Sequence, residues 1–231
     1  MPDNSERSGR VVAIDGPAGA GKTTTARMVA ERLGFTYLDT GAMYRALTYY
    51  ALTHDIEPSD GETLTDLAGK LTLEFRIIDG VNHVYIDGED VTEPIRTPEV
   101  TRQVSEVSAH QGVRKAMVAK QVAAGKAGSI VAEGRDTTTV VFPDADVKIF
   151  LVATAGERAR RRLLDLRAMG VETTLEELEA EIERRDHYDS SREHSPLTRA
   201  DDAVLIDTSS LTVEQQVERI VGLALERFAV K

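Results

Sequence analysis

Short runs of aliphatic and β-branched residues alternate along the chain with segments whose apolar residues recur at helical spacing. That rhythm predicts a parallel sheet covered by helices on both faces. Val11-Val12-Ala13-Ile14-Asp15 reads as the first strand, and from Lys22 to Leu33 the apolar positions Ala26, Val29, Ala30 and Leu33 share one helical face, with Gly34 where a helix stops. A second strand, Phe35–Leu38, leads into a helix that begins near Ala42, and further strands are expected at Ser129–Ala132, Val147–Val152 and Ala203–Ile206. Three helices open on capping-box spacings: Thr154 with Glu157, Thr174 with Glu177, and Thr212 with Gln215. The fold class is therefore α/β, with five parallel strands, and the chain carries no internal repeat.

Residues 71 to 93 break the rhythm. Apolar and polar side chains alternate there around Asp79-Gly80 and Asp87-Gly88, the pattern of an antiparallel meander. An α/β core does not need this piece, which reads as a small inserted antiparallel β subdomain spanning 63–97, followed by a long helical stretch from about Pro98 to Ala124. The core is then assigned to 10–62 and 98–231, and residues 1–9 to a loose tail.

Composition narrows the partners. The 231 residues suit one domain with insertions or two small ones. A net charge of −11 argues against a general nucleic-acid binder, whose affinity comes from a basic surface. The chain has no cysteine, so it has neither a disulfide framework nor a thiolate metal site. No apolar run approaches the roughly 20 residues of a membrane span, and the start MPDNSERSGR lacks the apolar centre of a signal peptide. The expectation is a cytoplasmic protein that binds no membrane.

Candidate chemistry begins directly after the first strand. Gly16-Pro17-Ala18-Gly19-Ala20-Gly21-Lys22-Thr23 fits Gly-x-x-x-x-Gly-Lys-[Ser/Thr] and runs straight into a helix. Glycines let the backbone wrap tightly with its N–H groups pointing inward, and the helix that follows adds the positive end of its dipole. Lys22 supplies a mobile cation for the β- and γ-phosphates, and Thr23 offers a hydroxyl to Mg²⁺. The context defines a P-loop NTPase fold with a nucleotide site.

Three polar clusters suggest a second phosphorylated ligand. They are Leu38-Asp39-Thr40-Gly41-Ala42-Met43-Tyr44-Arg45, Ala132-Glu133-Gly134-Arg135-Asp136, and Arg184 to Arg192 at the end of a helix. The first two follow strand ends, where open α/β sheets bind ligands, and guanidinium forks bind phosphate bidentately. Each has a plainer reading: Arg45 or Arg185 as a solvated helix residue, Asp136 as a helix N-cap, and Glu133 or Asp15 as a carboxylate paired with a nearby lysine.

Taken together the clusters resemble those of the bacterial cytidylate kinases, from about Val11 to the last helix. The matching pieces are LDTGAMYR at 38–45, GEDVTEPIRTPEVT at 88–101, EGRD with TVVFPDADVKIFL at 133–151, and RRDHYDSSREHSPL at 184–197. The resemblance implies transfer of the γ-phosphoryl group of ATP to CMP or dCMP, in pyrimidine nucleotide metabolism, by a monomer. It places ATP on Gly16 to Thr24, with Lys22 on the phosphates and Thr23 on Mg²⁺. It places Thr40 and Asp136 at the cytosine ring, with Ser105 and Arg114 completing the base pocket. Arg45 and Arg135 would grip the monophosphate, and Arg185, Asp189 and Arg192 would meet sugar and phosphate; Lys22, Arg135, Arg185 and Arg192 are the expected catalytic cations. The run Arg158, Arg160, Arg161, Arg162 resembles a lid, at about 155–172, that brings Arg162 to ATP; a solvated helix face is its plainer alternative.

Two departures accompany the resemblance. After Gly134-Arg135-Asp136 the family usually has an apolar residue and then glycine, whereas this chain has Thr137-Thr138-Thr139; and Thr40 stands where serine is common. Two other functions fit a phosphate loop. A nucleotide-hydrolysing switch would need no arginine clusters around a second ligand, and a P-loop kinase for another small acceptor, such as shikimate, would lack the meander and the cytosine-facing acceptors.

Overall fold

A computed structural model describes residues 9–78, 81–168 and 170–230. The expected tail at 1–9 lies outside them but for its last residue, as does the Asp79-Gly80 turn. The chain divides into two compact units, Leu38–Ala124 and the remainder.

The larger unit is built on a five-stranded sheet in the order β2-β6-β1-β7-β8, where β1 is Val11–Asp15, β2 Thr36–Asp39, β6 Ile130–Gly134, β7 Val147–Val152 and β8 Val204–Asp207. β1 pairs in parallel with β6 and β7, and β7 with β8, and the register sets Asp15 against Gly134 and Phe150. β1 and β6 are buried throughout because helices cover both faces, which is why they read as unbroken apolar runs. Val12, Ile14, Val131, Ile149, Leu151 and Ile206 pack with Ala26, Val29 and Ala30 of α1 (Lys22–Leu33) and Val217, Ile220 and Ala224 of α8 (Val213–Ala229). Gly34 ends α1 in the left-handed conformation, its N–H returning to the last turn.

α6 (Ala155–Ala168) and α7 (Leu175–Ser191) pack through Ala159, Leu166, Leu178 and Ile182. The capping boxes at Thr174/Glu177 and Thr212/Gln215 form as expected. The one at Thr154/Glu157 forms by half: the Glu157 N–H donates to Thr154 Oγ1, but the Glu157 carboxylate accepts from Arg160 and Arg161 instead of returning to the cap. Charge-assisted bonds to two guanidiniums are stronger than one to a backbone amide.

In the Leu38–Ala124 unit, α2 (Thr40–Thr53) starts two residues before the expected Ala42, because Asp39 Oδ1 accepts the Ala42 N–H as N-cap. α3 (Gly61–Lys70) was not expected; Asp60 caps it, and Leu64 and Ala68 lie on its buried face. The meander is a three-stranded antiparallel sheet, β3 (Leu73–Ile78), β4 (Val81–Ile86) and β5 (Glu89–Asp90). The stretch after it is two helices, α4 (Pro98–Val107) and α5 (Gln111–Gly125), parted at 108–110. Its own core joins Leu47, Leu64, Val84, Ile95, Val107, Val113 and Met117. No described helix is long and apolar enough to cross a membrane.

Candidate active site

The phosphate loop leaves the buried carboxyl end of β1. At Gly16 a Cβ would stand 2.1 Å from the carbonyl oxygen of Leu151 in β7, so only glycine lets the chain turn there. Gly21, at φ 89°, is the N-cap of α1 and supplies no side-chain bond, which leaves the first-turn amides to an incoming anion. Thr23 and Thr24 are exposed on that turn.

Lys22 is buried, and its Nζ donates to the Pro17 carbonyl at 2.7 Å. Burial, then the repulsion of Arg135 and Arg185, pushes its ammonium down to about 7, against the pull of Glu133 and Asp15. Glu133 Oε1 accepts the Tyr37 hydroxyl at 2.5 Å, and Asp15 accepts the Thr137 and Thr138 amides and the Thr138 hydroxyl.

Arg135 follows β6, and its Nε donates to Asp189 Oδ2 of α7 at 3.0 Å; Arg192 Nη1 lies 3.8 Å from Asp189 Oδ1. Burial would raise the Asp189 carboxyl, but Arg135, Arg185 and Arg192 together outweigh it and hold it below its ordinary value. The larger unit thus brings Lys22, Arg135, Arg185, Asp189 and Arg192 into one electrostatic cluster. Asp136 is buried, and its carbonyl accepts the amides of Thr139, Val140 and Val141 at 3.3, 2.8 and 3.2 Å. This opens a π-helical turn over Thr137–Val141 in place of an ordinary helix that Asp136 would cap; its side chain makes no cap bond.

The arginines of α6 differ among themselves. Arg158 is buried and structural: it donates to the Ala18 carbonyl in the phosphate loop, to the Ala153 carbonyl, and to Asp186 of α7 at 2.6 Å. Arg160 pairs with Glu157 on the surface, while Arg161 joins Glu157 to Thr208, whose hydroxyl donates within reach of the Ala20 carbonyl. Arg162 is half-buried on the same helix. Arg158 and Arg161 are supports that the sequence pattern did not separate from the rest of the run, and helical spacing could not have done so, since Arg162 also stands four residues from Arg158.

In the Leu38–Ala124 unit, Thr40 is buried in the first turn of α2, and Arg45 Nη2 donates to Asp39 Oδ2 at 2.8 Å, so Asp39 both caps the helix and aims the guanidinium. Arg114 is buried on α5, donates to the Ser108 carbonyl at 3.0 Å and lies over the Tyr44 ring. Ser105 is half-buried on α4, its carbonyl accepting the Ser108 hydroxyl.

A strand, glycine loop and helix that present amides and a buried lysine to an anion, on a parallel sheet with helices, define a P-loop nucleotide-binding protein. The profile of the family described as "Cytidylate kinase" matches residues 12–226. The chain is 52% identical over 216 residues to the "Cytidylate kinase" of Enterococcus faecalis, covering 94% of this chain and 96% of that one. It is also 50% identical over 214 residues to the "Bifunctional pantoate ligase/cytidylate kinase" of a Synechococcus species, covering 92% of this chain. The chain spans less than half, 45%, of that bifunctional relative. A solved structure of an uncharacterized protein from Eubacterium ventriosum shares the fold, with a TM-score of 0.50 and 11% identity over 93% of this chain and 97% of that one. The chain belongs to the cytidylate kinase family.

Proposed function

We propose that the protein transfers the γ-phosphoryl group of ATP to CMP and dCMP, releasing ADP and CDP or dCDP. The observation that carries the reading is the buried Lys22 beside the uncapped first turn of α1, in the same unit as Arg135 and Arg192 held on Asp189. Cations gathered in this way are stabilised when phosphates lie among them. Family membership supplies the identity of the acceptor.

An oxygen of the acceptor monophosphate attacks the γ-phosphorus while the bond from that phosphorus to the bridging oxygen of ADP breaks. The acceptor is already an oxyanion, so positioning and charge stabilisation carry the catalysis. The loop amides of residues 16–24 and Lys22 are assigned to the ATP phosphates, with Arg162 as a further contact from α6. Arg135, Arg185 and Arg192, with Asp189 orienting the first and last, are assigned to the transferring and acceptor phosphates and the sugar. Asp136 and Thr40 are assigned to the cytosine amine, a donor that suits a carboxylate and a hydroxyl; uracil presents an acceptor there instead. Arg45 is assigned to the monophosphate, and Ser105 and Arg114 to the base pocket, with the 63–97 insert as part of the monophosphate-binding region.

Mg²⁺ fits the donors present: the exposed Thr23 hydroxyl is a hard oxygen ligand on the phosphate loop, and no group of three or more His, Asp or Glu among the described residues forms a protein cage. The ion would neutralise phosphate charge.

ADP release with CMP, dCMP, UMP, AMP and shikimate tests the reading, with CMP and dCMP expected as the preferred acceptors. Acceptor-independent release would point to a hydrolysing switch, and turnover only with another acceptor to a different kinase. Asp136→Asn replaces part of an acceptor by a donor; the KM for CMP should rise on the order of tenfold and the preference over UMP should narrow.

A further inference from the structure

We propose that Thr138 is a positioning residue of the phosphoryl-transfer site, its hydroxyl clamping the Arg135-Asp136 segment to the Asp15 carboxylate at the root of the phosphate loop. The proposal rests on the reading of function above. Asp15 is the last residue of β1 and fully buried; its Oδ1 accepts the Thr137 amide at 2.9 Å, and its Oδ2 accepts the Thr138 amide at 2.7 Å and the Thr138 hydroxyl at 2.6 Å. A glycine at this position would supply an amide but no hydroxyl. A buried carboxylate needs its oxygens satisfied, because an unfilled acceptor there costs its full desolvation. Burial, and next to it Asp136, works against the ionised form of Asp15, while the Thr138 hydroxyl and amide are the largest effects that sustain it.

The clamp sits where it can govern geometry. Gly134 is fixed in the sheet beside Asp15, and Thr137 and Thr138 are fixed on the Asp15 carboxylate. Arg135 and Asp136 are the two residues between these anchors. The π-helical turn beyond them, closed by the Phe142 amide on the Thr137 carbonyl at 2.8 Å, begins from the same anchor. Loosening the second anchor shifts the Arg135 guanidinium and the Asp136 carboxylate, while the loop amides and Lys22 on the other side of Asp15 keep their own glycine-defined path. A displacement near 1 Å at a positioning group is enough to cost about 10²-fold in rate.

The test compares Thr138→Ser, Thr138→Val and Thr138→Ala, with Thr138→Ala retaining the test should the valine variant fail to fold. Serine keeps the hydroxyl and should stay within about twofold of the parent; the other two should lose about tenfold in kcat and raise the KM for CMP, with the KM for ATP within about twofold. A double-mutant cycle with Asp15→Asn should be non-additive. In ligand-free protein, the Arg135 and Asp136 amide resonances should move in Thr138→Val or Thr138→Ala and return in Thr138→Ser. Equal kinetics for the serine and alanine variants, with only thermal stability changed, overturns the proposal. If the parent protein shows no CMP-dependent ADP release, the reading of function fails, and the clamp is judged on the resonances alone: unmoved Arg135 and Asp136 signals refute it.

Discussion

Lys22 shows how one side chain is held at a cost for the sake of function. Burial and two neighbouring guanidiniums push it from 10.5 down to about 7, whereas the unfolded chain keeps the ordinary value. Between those values the unfolded state binds the extra proton, so this group makes stability rise with pH from about 7 to 10.5, and its full cost is present below that window. Lys22→Met should therefore remove that part of the pH slope in urea unfolding and leave the ligand-free protein at least as stable at pH 7. The same variant should lose on the order of 10²–10³-fold in turnover, the scale of deleting one preorganised charge donor. The sequence identified Lys22 as the phosphate-loop cation from spacing alone. It could not show that Arg135 and Arg185 face it, because those three residues come from distant parts of the chain.

At the scale of the element, α6 separates two kinds of arginine that look alike in sequence. Arg158 holds the phosphate-loop carbonyl of Ala18 and pairs with Asp186 with only 6% of its side chain exposed. Arg158→Met leaves the Ala18 carbonyl and the half-buried Asp186 carboxylate without their donor and should cost about 1–2 kcal/mol in chemical unfolding, with weaker ATP turnover as well. Arg160, 58% exposed, pairs only with Glu157 across one helical turn, and Arg160→Ala should change stability by less than about 0.5 kcal/mol. In the antiparallel sheet, Asp90 accepts from the Thr92 hydroxyl and amide and from His83, and these bonds hold its carboxyl well below the ordinary range. A depressed carboxyl contributes stability that is present above its unfolded value and lost as pH falls. Acid titration below pH 4, followed by exchange of the β4 amides, should show this sheet loosening, and Asp90→Asn should flatten the response. Period-two alternation made the sheet legible, yet α3 was missed because its short apolar stripe lies in a polar segment, and Asp60 and Leu64 were its only strong signals.

For the whole molecule, binding of nucleotide to the folded state alone should raise stability by about 2.7 kcal/mol at a hundredfold excess over Kd. The expected protection in hydrogen exchange is centred on residues 16–24, and Lys22→Met should abolish most of the stabilisation by an ATP analogue. The sequence by itself determined the strands, the phosphate loop, the meander and the family, because each is written in local spacing: period two, period 3.6, or an unbroken motif. Tertiary structure alone decided what the carboxylates do. Asp15, Glu133 and Asp189 are all acidic residues in apolar or mixed surroundings, yet one takes backbone amides and a hydroxyl, one a tyrosine, and one a set of guanidiniums. Tyr37, Arg135, Thr137 and Thr138 lie 54 to 123 positions from the carboxylates they serve, and only the folded arrangement of sheet and helices brings them within hydrogen-bonding distance.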